Sequence, residues 1–132
     1  MDVTALGDPL GVIPRMKTSI FEADETLAKK AKEACEKANT DIHCHMGKVL
    51  SGDAFIAGKE KKEFLVNNFA GDCAEMEGAA MAQVAYLNQI PFVILRAISD
   101  KADDSGSEDY PTFAKKAITH TISLLKELYK TM

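Results

Sequence analysis

Three polar residues follow directly after an apolar run in the second half of the chain. Arg96, Ser99 and Asp100 come after Phe92–Leu95, which Pro91 precedes. Bulky apolar residues on both faces predict a buried strand, and open α/β sheets bind ligands beyond the carboxyl ends of their strands. The three side chains are therefore candidates for a binding or catalytic site. An equally weighted alternative is a solvated loop with a structural Arg–Asp pair.

Two other positions also place chemically useful side chains after predicted strands. Phe55 lies in the turn Ser51–Ile56, and Glu77 lies between a short predicted strand and a helix. If the strands are parallel, Phe55, Glu77 and Asp100 converge at one sheet edge as an aromatic platform and two carboxylates. Structural alternatives stay open, because Phe55 is more often a core residue, Glu77 suits the helix dipole and Met76 suits core filling.

Two patterns that suggest metal binding are weak. His43 and His45 lie on one face of a predicted strand, which is a geometry that can bind a metal ion. No third ligand is recognisable nearby in the sequence, so no metal site is predicted. The acidic stretch 100–109 lacks the ligand spacing of a calcium-binding loop.

Hydrophobic periodicity predicts alternating helices and strands after a loop-like start at residues 1–20. Helices are predicted at 24–38 with Asp24 as N-cap, at 59–68 with Phe64 and Leu65 inward, at 77–87, and at 110–130. Strands are predicted at 41–51, 73–75 and after Pro91, so the fold class is α/β. The helix at 77–87 is apolar on nearly every side and is expected to be buried. The last helix is expected to bury Ala114, Ala117, Ile118, Thr121, Leu125 and Leu128.

Length and composition limit the possible functions. A chain of 132 residues without linkers or repeats predicts one domain, residues 1–132. The net charge is −4 and there is no basic stripe, which argues against nucleic acid or anionic membranes as partners. Neither a membrane span nor a signal peptide is predicted. Cys35, Cys44 and Cys73 are few and widely spaced, so reduced thiols and a cytoplasmic location are expected.

Three segments in order carry a specific family resemblance. They read DVTALG, then VLSGDAFI, then AEMEGAAMAQVAYLNQIPFVILRAISDKAD. Together they resemble the 5′-methylthioadenosine/S-adenosylhomocysteine nucleosidases of the nucleoside phosphorylase-like superfamily. The resemblance implies a mixed sheet flanked by helices. It also implies hydrolysis of an N-glycosidic bond with release of adenine in methionine salvage, no cofactor, and a homodimer.

The resemblance also implies roles for individual residues. Asp100 corresponds to the general acid that protonates adenine at N7, and Glu77 corresponds to the ligand of the ribose hydroxyls. Phe55 corresponds to the residue stacked on adenine, and the backbone of Ile56 to the group that reads the adenine edge. The remaining substrate pocket corresponds to Glu75, Met76, Arg96, Ser99 and Tyr110. The residues that correspond to a neighbouring-subunit pocket are Val3, Leu6 and Pro14, although Leu6 replaces the more usual aromatic.

The resemblance covers only the C-terminal portion of the family. Roughly 100 family residues, about a domain's worth of chain, have no counterpart here. They include the first strands and the glutamate that activates water, so weak or absent activity is expected. The alternatives are an inactive adenine-nucleoside-binding or assembly domain and, less favoured, a phosphorylase. Without those strands, an open sheet edge, exposed apolar faces and oligomer formation are expected.

Overall fold

The structure, a computed structural model, describes residues 2–99 and 110–132. A short 3₁₀ turn, Thr4–Leu6, precedes the regular elements. The two strands, β1 and β2, are parallel, and Val49 pairs with Cys73, Leu50 with Ala74, and Ser51 with Glu75. The alternation of helices with parallel strands confirms the α/β class. The elements are α1 (Glu25–Ala38), β1 (Val49–Ser51), α2 (Lys59–Phe69), β2 (Cys73–Glu75), α3 (Gly78–Leu87) and α4 (Tyr110–Tyr129).

The best-packed core lies between α1 and α4. The carboxylate of Asp24 accepts a hydrogen bond from Leu27 N at 2.8 Å, which confirms the predicted N-cap of α1. Ala31 and Ala34 are almost fully buried, and their small side chains let α4 approach closely. Leu124 and Leu128 of α4 complete the cluster together with Cys35. Four of the predicted helices are thus present, each within one or two residues of its expected bounds.

The buried face of α4 differs from the predicted one. Leu128 is buried as expected, but Leu124 and Glu127 are buried beside it, whereas Ile118 is 60% exposed. Thr121 and Leu125, which were also predicted to be buried, are exposed, while Ala114 and Ala117 are half-buried. Because apolar residues lie on more than one face of this helix, periodicity identified the buried face only in part. Glu127 is stabilised there because Lys130 and Lys37 bind its carboxylate at 2.6 and 2.5 Å. These hydrogen bonds, that of Lys130 first, lower the pKa of Glu127 below its ordinary value.

Leu124→Ala is expected to lower the free energy of unfolding by about 2–3 kcal/mol, because it opens a cavity in the α1–α4 core. Ile118→Ala, on the exposed face of the same helix, is expected to cost only about 0.5 kcal/mol. Urea unfolding followed by circular dichroism measures both. Equal losses in the two variants would contradict this choice of core.

Two strand predictions are wrong in extent. Of residues 41–51, only Val49–Ser51 forms a strand, and no residue among 90–99 does. Phe92, Val93 and Ile94 are half-buried rather than buried. A run that is apolar on both faces becomes a strand only when neighbouring backbone pairs with it. In the described part of the chain, β1 and β2 pair with each other, and no strand pairs with residues 91–99.

Two helices are more exposed than predicted. In α3 only Gly78 and Ala82 are buried, while Met81 and Val84 are 53% and 60% exposed. In α2, Phe64 is exposed rather than inward, although Leu65 is half-buried. The expected exposure of apolar faces is therefore confirmed. Among the helices of the described residues, none is long and apolar enough to cross a membrane.

Candidate functional site

The carboxyl ends of β1 and β2 open onto a cavity of about 480 Å³. Its wall is formed by the turn after β1, by one side of α2, by β2 with its junction to α3, and by residues 96–99. This volume lies in the range of small-molecule sites. The structure thus brings together the turn, the junction and the loop, as the sequence predicts for Phe55 and Glu77. The predicted site residues that line it are Phe55, Ile56, Glu75, Met76, Glu77, Arg96 and Ser99.

Glu75, the last residue of β2, is the best-anchored polar group of the site. Its side chain is only 4% exposed. Both carboxylate oxygens accept from the backbone of Gly78, at 2.9 and 2.8 Å, and Oε2 also accepts from Glu77 N at 3.1 Å. The hydroxyl of Ser51 donates to Oε1. A buried anion is thereby placed where the first free N–H groups of α3 need an acceptor.

Ser51 joins the two strands to α3. Its Oγ donates to Glu75 and at the same time accepts from Ala79 N at 2.7 Å. The hydroxyl therefore holds the end of β1 against the first turn of α3. Sequence reasoning treated this residue only as part of a turn. A hydroxyl directly at the end of a predicted strand was the signal available for it.

Gly78 permits the close approach of the carboxylate to the helix. A Cβ at this position would lie 2.9 Å from Oε1 of Glu75 and 3.1 Å from its Cδ. Any larger residue would push the carboxylate away from the N–H groups that it accepts from. The glycine is therefore required by the anchoring of Glu75 rather than by its own backbone angles.

Arg96 connects the two glutamates of the site. Its Nη1 lies 3.6 Å from Oε2 of Glu75 and 3.3 Å from Oε2 of Glu77. Among the described residues, Arg96 thus pairs with the two glutamates at the junction between β2 and α3. Asp100, the partner in the alternative Arg–Asp pair, lies outside the described residues. Its predicted role therefore stays a prediction.

Glu75 is held in its ionised form. Burial acts to raise its pKa, but the hydrogen bonds from Ser51, Glu77 N and Gly78 N, with the charge of Arg96, lower it below the ordinary value. Burial, followed by the nearby charge of Glu75, raises the pKa of the Cys73 thiol. β2 thus begins with a thiol and ends with an anion.

Acidification is expected to loosen the start of α3. Because the pKa of Glu75 is lowered in the folded chain, its ionisation stabilises the fold above the ordinary titration range of glutamate, and this contribution disappears as the pH falls through the lowered pKa. Urea unfolding over a pH series measures the effect. Glu75→Gln should flatten the acid limb, and an unchanged limb in that variant would argue against this role.

Three other predicted residues present apolar or charged groups to the cavity. Phe55 is 71% exposed and Met76 is 46% exposed, so neither side chain is buried within the described part of the chain. The side chain of Glu77 is 61% exposed. A solvent-accessible carboxylate beside an exposed ring suits a ligand with hydroxyl groups and a flat aromatic part.

Four predicted residues of the described chain lie away from the cavity. Tyr110 begins α4 and is 70% exposed, but it does not line the cavity. Val3, Leu6 and Pro14 belong to the N-terminal segment. Leu6 is 78% exposed, while Val3 and Pro14 are half-buried. Their predicted contacts involve a neighbouring subunit and stay predictions.

The histidine pair does not form part of a metal centre in the described chain. The rings of His43 and His45 lie 6.4 Å apart. Within residues 2–99 and 110–132, no group of three or more potential ligands from His, Cys, Asp and Glu is close enough to hold a metal ion. The polar groups of the cavity instead suit an organic ligand that donates hydrogen bonds.

Comparisons with known proteins agree with the resemblance seen in the motifs. The aminodeoxyfutalosine nucleosidase of Helicobacter pylori is 37% identical over 129 residues, which are 97% of this chain and 54% of that protein. A 5′-methylthioadenosine/S-adenosylhomocysteine nucleosidase of Shewanella loihica is 37% identical over 133 residues, 97% of this chain and 57% of that protein.

A solved structure shows the same geometry. The 5′-methylthioadenosine/S-adenosylhomocysteine nucleosidase of Neisseria meningitidis, in complex with methylthio-immucillin-A, superposes with a TM-score of 0.84 and 32% identity. The superposition covers all of this chain and 57% of that one. The chain thus spans about half the length of the relatives that it matches, as the motifs indicated. The family profile described as "Phosphorylase superfamily" matches residues 3–130, so the chain belongs to the phosphorylase superfamily.

Proposed function

We propose that this chain carries the nucleoside-binding part of an enzyme that hydrolyses 5′-methylthioadenosine and S-adenosylhomocysteine. In that reaction water forms a bond to C1′ of the ribose and loses a proton, the C1′–N9 bond breaks, and adenine leaves with the electron pair of that bond and takes up a proton. The observation that carries the proposal is the exposed carboxylate of Glu77, held by Arg96 beside the exposed ring of Phe55 in one cavity. The similarity to nucleosidases supports the choice of reaction.

The described residues have distinct roles in this proposal. Glu77 accepts hydrogen bonds from the ribose hydroxyls and places negative charge beside the cationic sugar of the transition state. Phe55 stacks on adenine, the backbone of Ile56 reads the edge of the base, and Met76 packs on the ribose. Glu75 holds the start of α3 and thereby positions Glu77.

Other residues complete the site in the proposal. Asp100 protonates adenine, Ser99 and Arg96 brace the pocket, and Tyr110 contacts the alkylthio group. In a homodimer, Val3, Leu6 and Pro14 reach the site of the neighbouring subunit, and the 78% exposure of Leu6 supports such a contact. The three cysteines of the chain are free thiols, which fits the proposed cytoplasmic location.

A second candidate function is binding without catalysis. The chain spans 54–57% of its relatives, and the carboxylate that activates water is expected in the part without a counterpart. We therefore expect the isolated polypeptide to bind adenine nucleosides and to cleave them slowly or not at all.

Adenine release from 5′-methylthioadenosine, followed by chromatography with and without phosphate, tests the proposed reaction. A hydrolase releases adenine equally well in both buffers, whereas a phosphorylase needs phosphate as the nucleophile. Release that depends on phosphate would overturn the hydrolase assignment. A rate near that of a full-length nucleosidase would overturn the expectation of weak activity.

Glu77→Ala is expected to weaken binding of 5′-methylthioadenosine about 10-fold or more, because charge-assisted hydrogen bonds to the ribose are lost. Binding of free adenine should change little, since adenine has no ribose. Calorimetric titration of both ligands measures this difference. An equal loss for both ligands would show that Glu77 does not recognise the sugar.

A further inference from the structure

We propose that Ser51 is a positioning residue for the ribose side of the candidate site. Its hydroxyl, together with the carboxylate of Glu75, caps α3 and thereby leaves the carboxylate of Glu77 available to a ligand with neighbouring hydroxyl groups. The inference rests on the proposed function, which assigns the ribose to Glu77. It goes further because Ser51 does not line the cavity and is nevertheless expected to determine how tightly the ribose is bound.

Glu77 occupies the N-cap position of α3 but does not cap the helix. It directly precedes Gly78, the first residue of α3, and in the described chain its side chain makes no capping hydrogen bond. An N-cap side chain ordinarily accepts from the second or third N–H group of its helix, which would turn a carboxylate towards the helix axis. The side chain of Glu77 is instead 61% exposed and lines the cavity.

The last residues of the two strands supply the acceptors that the start of α3 needs. Gly78 N donates to Oε2 of Glu75 at 2.8 Å, and Ala79 N donates to Oγ of Ser51 at 2.7 Å. The first N–H groups of a helix lack partners within the helix and require acceptors from outside it. Because Glu75 and Ser51 meet this requirement, the carboxylate of Glu77 is not drawn onto the helix.

The orientation of the Ser51 hydroxyl is fixed by its two partners. A hydroxyl has one hydrogen, which Ser51 donates to Oε1 of Glu75, so a lone pair of the oxygen faces Ala79 N. Ser51 and Glu75 are also register partners in the parallel strand pair, and Gly52 N donates to the carbonyl oxygen of Glu75 at 3.1 Å. The backbone therefore holds the hydroxyl beside the carboxylate, and removal of the hydroxyl breaks both side-chain bonds at once.

Arg96 provides a second connection between this cap and Glu77. Its Nη1 lies 3.6 Å from Oε2 of Glu75 and 3.3 Å from Oε2 of Glu77. The side chain of Glu75 is only 4% exposed, so it is the fixed partner of the arginine, and Glu77 is the accessible one. Loss of the Ser51 hydroxyl loosens Glu75 and leaves Ala79 N without an acceptor, so the carboxylate of Glu77 is expected to turn towards the helix and away from a bound ribose.

Calorimetric titration of the full chain with 5′-methylthioadenosine and with free adenine tests the inference. Ser51→Ala is expected to weaken binding of the nucleoside at least about 5-fold and binding of adenine less than about twofold, because only the nucleoside carries ribose hydroxyls. Ser51→Thr keeps the hydroxyl and should restore binding of the nucleoside. A purely structural role would lower the free energy of unfolding without changing the ratio of the two affinities. Equal weakening of both ligands, or no weakening of either, would overturn the inference.

Two further variants complete the titration. Thr119→Ala removes an exposed hydroxyl that donates to the carbonyl oxygen of Lys115 within α4, and it should leave both affinities unchanged. Ser51→Cys keeps the volume of the side chain and replaces the hydroxyl with a weak donor and acceptor. If circular dichroism shows that Ser51→Ala does not fold, Ser51→Cys is titrated in its place with the same expected loss for the nucleoside alone.

A double-mutant cycle tests whether Ser51 acts through Glu77. In a Glu77→Ala background, Ser51→Ala is expected to weaken binding of 5′-methylthioadenosine by less than about twofold, since the carboxylate on which the hydroxyl acts is already absent. A loss as large as that in the unmodified chain would show that the two residues contribute independently. That outcome would overturn the inference.

Failure of this inference is distinguishable from failure of the proposed function. If Glu77→Ala weakens binding of the nucleoside and Ser51→Ala does not, only the role of Ser51 is overturned. If Glu77→Ala leaves binding of the nucleoside unchanged, the proposed recognition of the ribose is overturned as well. Hydrogen exchange of the Ala79 amide reports on the cap without any ligand: faster exchange in Ser51→Ala but not in Glu77→Ala would support it, and unchanged exchange in Ser51→Ala would overturn the inference alone.

Discussion

Asp100→Asn is expected to lower the rate of adenine release by about 100-fold or more, because asparagine cannot donate the proton that the departing base requires. The residue lies outside the described part of the chain, so the expectation rests on the motif RAISDKAD and its resemblance to the nucleosidases. Single-turnover assays with protein in excess over 5′-methylthioadenosine detect slow release. They can be made on the chain alone.

Asp103→Asn is the matched control for this experiment. It removes a carboxylate three residues further along and should change the rate by less than about threefold, since it takes no direct part in proton transfer. The binding of free adenine to the Asp100 variant should remain measurable. Full activity in Asp100→Asn would remove this residue from the mechanism, and equal losses in both variants would indicate a general charge effect instead.

Glu75→Ala is expected to destabilise the chain by about 2–3 kcal/mol, because it leaves several donors, most of them partly buried, without their acceptor. The donors are the N–H groups of Glu77 and Gly78 and the hydroxyl of Ser51. Arg96 loses one of its two carboxylate partners at the same time. Urea unfolding measures the loss, and exchange of the Gly78 amide reports the release of the helix start.

Glu77→Ala provides the control for stability. The residue is two positions away and pairs with the same arginine, but its side chain is 61% exposed, so its removal should cost less than about 1 kcal/mol. The two glutamates are therefore expected to separate, with Glu75 affecting stability and Glu77 affecting nucleoside binding. A large loss of stability in Glu77→Ala together with a small one in Glu75→Ala would reverse the assignment.

Local sequence signals were sufficient to predict the helices and to predict that Phe55 and Glu77 lie at one sheet edge. Asp24 caps α1 because its carboxylate reaches an N–H three residues on, an interaction that needs no tertiary partner. The side chains that follow the strands meet because parallel strands end at the same edge. The first inference depends on residues close in sequence, and the second depends on the regular geometry of parallel strands.

Burial could not be predicted in the same way. In α4, Ile118 and Leu124 are both apolar, and only the position of α1 decides that Leu124 is buried and Ile118 exposed. The segment 91–98 has the composition of a central strand, yet a strand requires a partner backbone. In the described chain that partner is absent, and the segment stays unpaired.

By itself, the sequence determined the α/β class, the ends of the helices and the set of motifs that identify the family, because these depend on local chemistry and order. Only the tertiary structure decided that Glu75 is the buried anchor and Glu77 the accessible carboxylate. The two residues differ by two positions and carry the same functional group. What separates them is the hydroxyl of Ser51, 24 positions before Glu75, together with the free N–H groups at the start of α3.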